Sequence, residues 1–204
     1  MPTMAPLKFL PTLRKTNVKP MKTEKEKMLA GELYIATDPE LTAERLHAKR
    51  IIHRYNNLEP DNDQERQALL KSLVIVNGSA TIEAPFRCDY GYNIEVGDGF
   101  FANYGCVMLD VCRITIGRNV LLGPGVHIYA ATHPLDAHVR STQQEYGKPV
   151  TIGSNVWVGG GTIICPGVTV GSNTTIGAGS VVTKDIPDNV LAAGNPCRVV
   201  RSLR

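Results

Sequence analysis

A six-residue repeat runs through the second half of the chain and limits its fold more than any other feature. In seven blocks the first position is aliphatic and the fifth is Val, Thr or Ser. The fourth position is always Asn or Gly, at Asn119, Gly125, Asn155, Gly161, Gly167, Asn173 and Gly179. Because Gly and Asn adopt positive φ at the lowest cost, this column predicts a left-handed backbone corner every six residues.

Short strands are expected between these corners, each pointing an aliphatic side chain inward and pairing with the next coil. Pro124 and Pro166 both occupy the third position, at a corner, where no sheet hydrogen bond is lost. Two earlier blocks, which begin at Val96 and Ala102, follow the six-residue pattern less strictly. The sequence therefore predicts a mainly β domain over residues 76–204, built as a parallel β-helix.

A helical pattern precedes the repeat, over residues 21–75. Thr23 and Glu26 have the spacing of a capping box. Asp38 stands before Pro39 as a helix N-cap stands before an N1 proline, and aliphatic residues follow at helical spacing. We predict an N-terminal helical segment in front of the coil.

The repeat lapses for about 21 residues between Ile128 and Val150. Long loops in compact folds are uncommon and are usually functional. A β-helix has a smooth wall, so a projecting loop over residues 129–149 would close a pocket against a neighbouring subunit.

Composition limits the partners and the compartment. The formal net charge of +3 is too small to indicate nucleic-acid binding, and no apolar run approaches the length of about 18 residues that spans a membrane. The five cysteines have no C-x-x-C spacing, which favours reduced thiols and a cytoplasmic location. The first 20 residues carry four basic residues, four prolines and no acid, and we interpret residues 1–20 as a non-essential leader or extension.

Several motifs resemble those of the maltose and galactoside O-acetyltransferase family. They include the stretches 86–94, 124–129 and 131–134 and the helical pattern at 23–34, so the resemblance covers residues 21–204. It implies a left-handed parallel β-helix, assembled as a homotrimer with active sites between subunits. It also implies transfer of an acetyl group from acetyl-CoA to the hydroxyl of a sugar resembling maltose or glucose.

His133, in the Thr-His-Pro motif of the loop, matches the catalytic histidine of that family. Acetyl transfer to a hydroxyl needs a base that accepts the proton as the oxygen attacks, and an imidazole can do so near neutral pH. The thioester is already activated, so the reaction requires neither a metal nor a covalent intermediate.

The resemblance also implies contacts with the acceptor. Asp89 stands where the galactoside enzyme has a serine, the match at Asp110 is ambiguous by one residue with Val111, and a capping role already explains Asp38. The implied acceptor contacts are Asn103, Asp89, Asp110 and Asp38.

Cofactor contacts are implied in the late coils. Small residues there would let the pantetheine arm approach the backbone, and cationic side chains would face the nucleotide phosphates. The matching positions are Gly160, Ala178, Thr183, Lys184, Arg198 and Arg201. Trp157 points outward and is expected at an interface or at the wall of the site, without a chemical role.

Three alternatives stay open. A metal enzyme of the γ-carbonic anhydrase type would use His127, His133 and His138, although their spacing does not match such a site. A non-catalytic solenoid is a second alternative, because fold does not fix function. The third alternative is the same transfer to another acceptor: a galactoside, serine or a xenobiotic such as chloramphenicol.

Overall fold

The structure, a computed structural model, describes residues 21–203, so the leader predicted at 1–20 lies outside the described residues. Three helices precede the coil, within the predicted helical segment, and a short fourth lies in the projecting loop. The helices are α1 (Glu24–Leu29), α2 (Pro39–Asn56), α3 (Asp63–Leu73) and α4 (Ala137–Arg140).

Twenty short strands, joined by turns and loops, are also present in the described chain. The first ten are β1 (Tyr34–Ile35), β2 (Ile75–Val76), β3 (Ala80–Ile82), β4 (Arg87–Cys88), β5 (Ile94–Val96), β6 (Phe100–Ala102), β7 (Val107–Leu109), β8 (Ile114–Ile116), β9 (Leu121–Leu122) and β10 (His127–Tyr129). The others are β11 (Ala131–Thr132), β12 (Gln144–Gly147), β13 (Val150–Ile152), β14 (Trp157–Val158), β15 (Ile163–Ile164), β16 (Thr169–Val170), β17 (Thr175–Ile176), β18 (Val181–Val182), β19 (Val190–Ala193) and β20 (Arg198–Ser202).

The strands form three stacked faces, and the chain visits the faces in turn. The first face has the order β2-β5-β8-β13-β16, and the third has the order β4-β7-β10-β15-β18. The second face runs β3-β6-β9-β14-β17-β19 in parallel and is closed by β20, which pairs antiparallel to β19. This arrangement confirms the predicted left-handed parallel β-helix.

The corners between the faces have the predicted backbone conformation. The seven fourth-position residues all have positive φ, including Asn119 (53°), Asn155 (57°) and Asn173 (56°), and so do Gly99 and Gly105 of the two looser blocks. Along one corner the asparagine amides also bond to each other, from Asn119 to Asn155 at 3.1 Å and from Asn155 to Asn173 at 2.9 Å. Each asparagine therefore makes the left-handed turn and links its coil to the next.

Aliphatic first-position side chains fill the interior of the coil. Ile116, Ile152 and Val170 follow one another in register on the first face, and each exposes 2% or less of its surface. Burying one such side chain contributes about 1.5–3 kcal/mol. The first position of the repeat thus supplies a core residue in each block.

The helical front is fastened to the first coils. The predicted capping box at Thr23 and the predicted N-cap at Asp38 are both present. At the end of α2, Tyr55 donates a hydrogen bond to the carbonyl of Ile82, and the Asn56 amide bonds to both the N–H and the carbonyl of Phe86 at 2.9 Å. These bonds fix the helices beside the chain that leads into β4.

The projecting loop has its own secondary structure. Strand β11 pairs antiparallel to β12, and α4 lies between them. Strand β12 also pairs with β1 of the helical front, with Tyr34 opposite Glu145. The front therefore holds the loop against the coil.

Replacing Asn155 tests the corner conformation. We expect Asn155→Val to lower the free energy of unfolding by about 2–3 kcal/mol, because a β-branched residue resists positive φ and the amide bonds are lost. Asn155→Gly is the matched control: it keeps the turn, loses only the amide bonds, and should cost about 1 kcal/mol. Urea unfolding at one fixed chain concentration measures both, and equal losses would contradict the argument.

Candidate active site

A cleft of about 350 Å³ lies where the projecting loop and the helical front meet the third face. Its polar walls are Arg45, Asp89, Tyr90, His133 and Glu145. The cleft combines a basic imidazole with two carboxylates, which accept hydrogen bonds from hydroxyl groups.

His133 follows β11 on the loop, and 60% of its side chain is exposed. Its Nε2 atom lies 3.7 Å from Oε2 of Glu145. The other oxygen of Glu145 accepts a hydrogen bond from the hydroxyl of Tyr34. The imidazole is therefore accessible to a substrate and has a carboxylate beside it.

Asp89 follows β4 and is partly buried in the cleft. Burial raises the pKa of its carboxyl above the usual value and the negative charge of Glu145 adds to this, while Arg45 and Lys49 act in the opposite direction. The Arg45 guanidinium donates to the Tyr90 hydroxyl at 2.6 Å and to the carbonyl of Ala36 at 2.5 Å. Arg45 thus fastens the front to the floor of the cleft.

Asp110 does not lie in the cleft. It has no exposed surface, and its carboxylate accepts backbone N–H bonds from Asp89 at 3.0 Å, Tyr90 at 2.9 Å and Gly91 at 2.7 Å. Burial raises the pKa of Asp110 to about 6, against the lowering effect of these N–H donors. This burial does not fit the direct contact with an acceptor that was expected of Asp110. Its carboxylate instead holds in place the turn that carries Asp89. The neighbouring residue Val111 lines the cleft.

Asp38 also lies outside the set of residues that line the cleft. Its Oδ1 atom accepts from the N–H groups of Glu40 at 3.0 Å and Leu41 at 3.3 Å, at the start of α2. Ala36, two residues earlier, lines the cleft. The helix-capping role explains Asp38 in this structure.

Asn103 lies on a different edge of the coil, where the chain passes from the second face to the third. Its N–H donates to Leu122 at 3.0 Å, and on the next coils the N–H of Gly123 donates to Val158 and that of Gly159 to Ile176, both at 2.8 Å. We call this edge the small-residue corner. Its members, taken coil by coil, are Asn103, Gly123, Gly159, Gly160, Gly177 and Ala178.

The coils approach closely at the small-residue corner. A Cβ atom at Gly159 would stand 2.5 Å from the backbone nitrogen of Ala178, and one at Gly160 would stand 3.0 Å from the Pro124 carbonyl oxygen. Ala178 is exposed and Gly160 is partly exposed. Open backbone without bulky side chains is what an extended ligand needs for close approach.

The other expected cofactor residues are divided between two edges of the third face. Arg198 begins β20 opposite Ala193, at the end of the second face. Thr183 and Lys184 follow β18 and lie on the edge of the third face from which the His133 loop projects. Arg201 pairs with Leu191 farther back on the second face, and all four side chains are exposed.

Apolar side chains are exposed on the second face and beside the small-residue corner. Trp157 and Leu121 are neighbours on adjacent strands and expose 56% and 48% of their surface, and Tyr104 exposes 59%. Grouped exposed apolar side chains mark surfaces that contact another molecule. This position fits the expectation that Trp157 lies at an interface.

The histidines of the alternative metal site have other surroundings. His127 Nδ1 lies 2.6 Å from the Tyr129 hydroxyl, and His138 lies in α4. Within residues 21–203, no group of three or more His, Cys, Asp or Glu side chains is placed to hold a metal ion. None of the helices in that range is long and apolar enough to cross a membrane.

Sequence reasoning missed Glu145, Tyr34 and Arg45. Glu145 is a single acid inside a loop with no repeat, and nothing local distinguishes it from a solvated charge. Tyr34 precedes it by 111 residues, and only the pairing of β1 with β12 brings the two together.

Two family models match separate parts of the chain. A maltose acetyltransferase hexapeptide capping motif matches residues 27–75, and a bacterial transferase hexapeptide model of six repeats matches residues 149–184. The first corresponds to the helical front and the second to the later coils.

Related proteins match nearly the whole length of the chain. Nodulation protein L of Rhizobium meliloti is 50% identical over 87% of this chain and 98% of its own. The crystal structure of a maltose O-acetyltransferase from Clostridium difficile 630 is 54% identical, with a TM-score of 0.89 over 90% of this chain and 98% of its own. A galactoside acetyltransferase in complex with coenzyme A is 40% identical, with a TM-score of 0.87 over 90% and 92%.

The buried carboxylate of Asp110 generates a test of stability. We expect Asp110→Ala to lower the free energy of unfolding by about 3 kcal/mol or more, because at least three backbone N–H groups lose their acceptor. Asp98→Ala is the control: that exposed carboxylate also accepts from a backbone N–H, at Ser79, but water can replace it there. Similar losses for the two variants, measured by urea unfolding, would refute the supporting role of Asp110.

Proposed function

The chain belongs to the maltose and galactoside O-acetyltransferase family of hexapeptide-repeat acetyltransferases and is an acetyl-CoA-dependent acetyltransferase. On this premise we propose that it acetylates a sugar hydroxyl with His133 as the general base. The observation that carries this proposal is the accessible imidazole of His133 in a cleft whose other polar walls include two carboxylates.

In the proposed reaction the acceptor hydroxyl lies against His133, with Asp89 accepting a hydrogen bond from a neighbouring hydroxyl. His133 accepts the proton as the hydroxyl oxygen attacks the thioester carbonyl. The imidazolium then returns the proton to the departing thiolate of coenzyme A, so no proton is gained or lost. Glu145 stabilises the positive charge on the imidazolium in between, since its carboxylate lies 3.7 Å away.

A sugar suits the cleft as the acceptor. Its volume falls within the range of small-molecule sites, and Asp89 and Glu145 are acceptors for the donor hydroxyls of a polyol. Maltose or glucose is the proposed acceptor and a galactoside is the alternative, because relatives with both activities match the chain at similar coverage.

The proposed cofactor groove runs along the small-residue corner. The open backbone at Gly160 and Ala178 would bind the pantetheine arm, and Asn103 lies on the same edge near the acceptor end. The hydroxyl of Thr183 and the cations Lys184, Arg198 and Arg201 would contact the nucleotide phosphates. A cytoplasmic location stays a prediction from the cysteines.

We propose a homotrimer because one chain separates the parts of the site. Asp89, Thr183 and Lys184 follow strands of the third face, and His133 lies on the loop that projects from the same edge. Asn103, Gly160 and Ala178 instead precede strands of that face. A complete site then forms where the loop edge of one copy meets the small-residue corner of the next. Cyclic symmetry repeats this contact three times and closes the ring.

Replacing His133 tests the proposed base. We expect His133→Ala to lower kcat about 10²–10⁴-fold, the usual contribution of a general base, with little change in acetyl-CoA binding. The assay measures release of the thiol of coenzyme A. With the unmutated protein and maltose, glucose, a galactoside, serine or chloramphenicol as the acceptor, the same assay identifies the acceptor class.

His138→Ala is the matched control, since this histidine lies on the same loop within α4 and does not line the cleft. Normal turnover by a folded His133→Ala protein would remove His133 from the mechanism. Turnover of serine or chloramphenicol above the sugars would overturn the proposed acceptor.

Mixing two inactive variants tests whether subunits share a site. His133→Ala and Asn103→Ala proteins are unfolded together in equal amounts, refolded and assayed. If each site takes the two residues from different chains, about a quarter of the sites in the mixture contain both native residues and activity returns to that level.

Each variant refolded alone is the control and should stay inactive. If the mixture recovered nothing although light scattering showed mixed trimers, the two residues would belong to one chain or to no common site. A molar mass of a single 22.2 kDa chain would contradict the trimer itself.

A further inference from the structure

We propose that Tyr34 is a positioning residue for acetyl transfer: its hydroxyl holds the Glu145 carboxylate in the orientation that faces His133. The inference deepens the proposed function and rests on His133 as the base. It assigns a part in the chemistry to the helical front, which also lines the cleft through Ala36 and Arg45.

Strand pairing brings the two residues together. Strand β1 pairs antiparallel to β12, and Tyr34 stands directly opposite Glu145. Side chains of directly opposed residues lie on the same side of a sheet, with their Cβ atoms about 5 Å apart. The phenol therefore projects alongside the carboxylate that lines the cleft.

Burial makes the hydrogen bond between them obligatory. Tyr34 has no exposed surface, and a buried hydroxyl without a partner is costly. Its hydroxyl donates to Oε1 of Glu145. Burial, with the negative charge of Glu145, also raises the pKa of Tyr34 above its usual range, so the phenol remains a donor.

The two oxygens of Glu145 have different partners. Oε1 is held by Tyr34, and Oε2 lies 3.7 Å from Nε2 of His133. Because a carboxylate is planar, fixing one oxygen limits the positions open to the other. The remaining gap to His133 is longer than a hydrogen bond, and such contacts commonly tighten when substrate binds.

Strand β1 is itself held in place from within the front. The N–H of Ile35 donates to Glu24 of α1 at 2.6 Å, and the carbonyl of Ala36 accepts from Arg45 of α2 at 2.5 Å. The helices thus fix the position of Tyr34, and its hydrogen bond in turn restrains the Glu145 carboxylate on the loop.

The test compares Tyr34→Phe with Tyr55→Phe. Both tyrosines are buried and donate one hydrogen bond, but Tyr55 donates to the Ile82 carbonyl and lines no part of the cleft. We expect both variants to lose similar thermal stability. Only Tyr34→Phe should lower kcat, by about 10-fold, with the KM for the acceptor changed less than about threefold, because orientation is lost while binding is kept.

A double-mutant cycle separates positioning from general destabilisation. Glu145→Ala should lower kcat by itself, and adding Tyr34→Phe should lower it no further, because the phenol acts only through the carboxylate. Equal kcat values for Tyr34→Phe and Tyr55→Phe, or losses that multiply in the double variant, would overturn the inference. The kcat of His133→Ala tests the base assignment separately. A failure of that assignment is therefore distinguished from a failure of the role proposed for Tyr34.

Discussion

Positive φ at every sixth residue is the constraint on which the whole molecule depends. Asn119, Asn155 and Asn173 meet it along one corner, and glycines meet it elsewhere. Each such residue turns the chain to a new face, so that the aliphatic first-position side chains enter the core. Without these turns the chain would have neither stacked faces nor an edge from which a loop could project.

Function depends on the departures from this regularity. The coil provides two straight edges beside the third face, and the small-residue corner keeps one of them open. The other carries the loop with His133, and β12 fastens this loop to the front through β1. The repeat therefore supplies distance and rigidity, while the irregular segments carry the groups proposed to react.

Local sequence patterns predicted the parts of the structure that local physics decides. The corner column, the capping box at Thr23 and the cap at Asp38 depend on neighbours within a few residues, and each is confirmed. His133 was identified from a motif inside the break in the repeat, and its chemical role stays a proposal. Glu145 could not be found in this way, because its significance arises from a partner 111 residues away. Asp110 shows the converse difficulty: the family resemblance implied a contact with the acceptor, but its three close N–H donors are visible only in three dimensions.

The pairing of β1 with β12 brings the helical front and the loop together at the cleft. The cleft draws its walls from the front, the loop and one edge of the third face, whereas the proposed cofactor groove runs along the small-residue corner, so the two surfaces are built from largely different segments of the chain. Under the proposed function, changes at Ala36 or Asp89 would alter the fit of the acceptor without disturbing the corners that keep the coil folded. Substitutions in the front and the loop would thus reshape the acceptor side of the site while the coils that form the proposed groove keep their backbone.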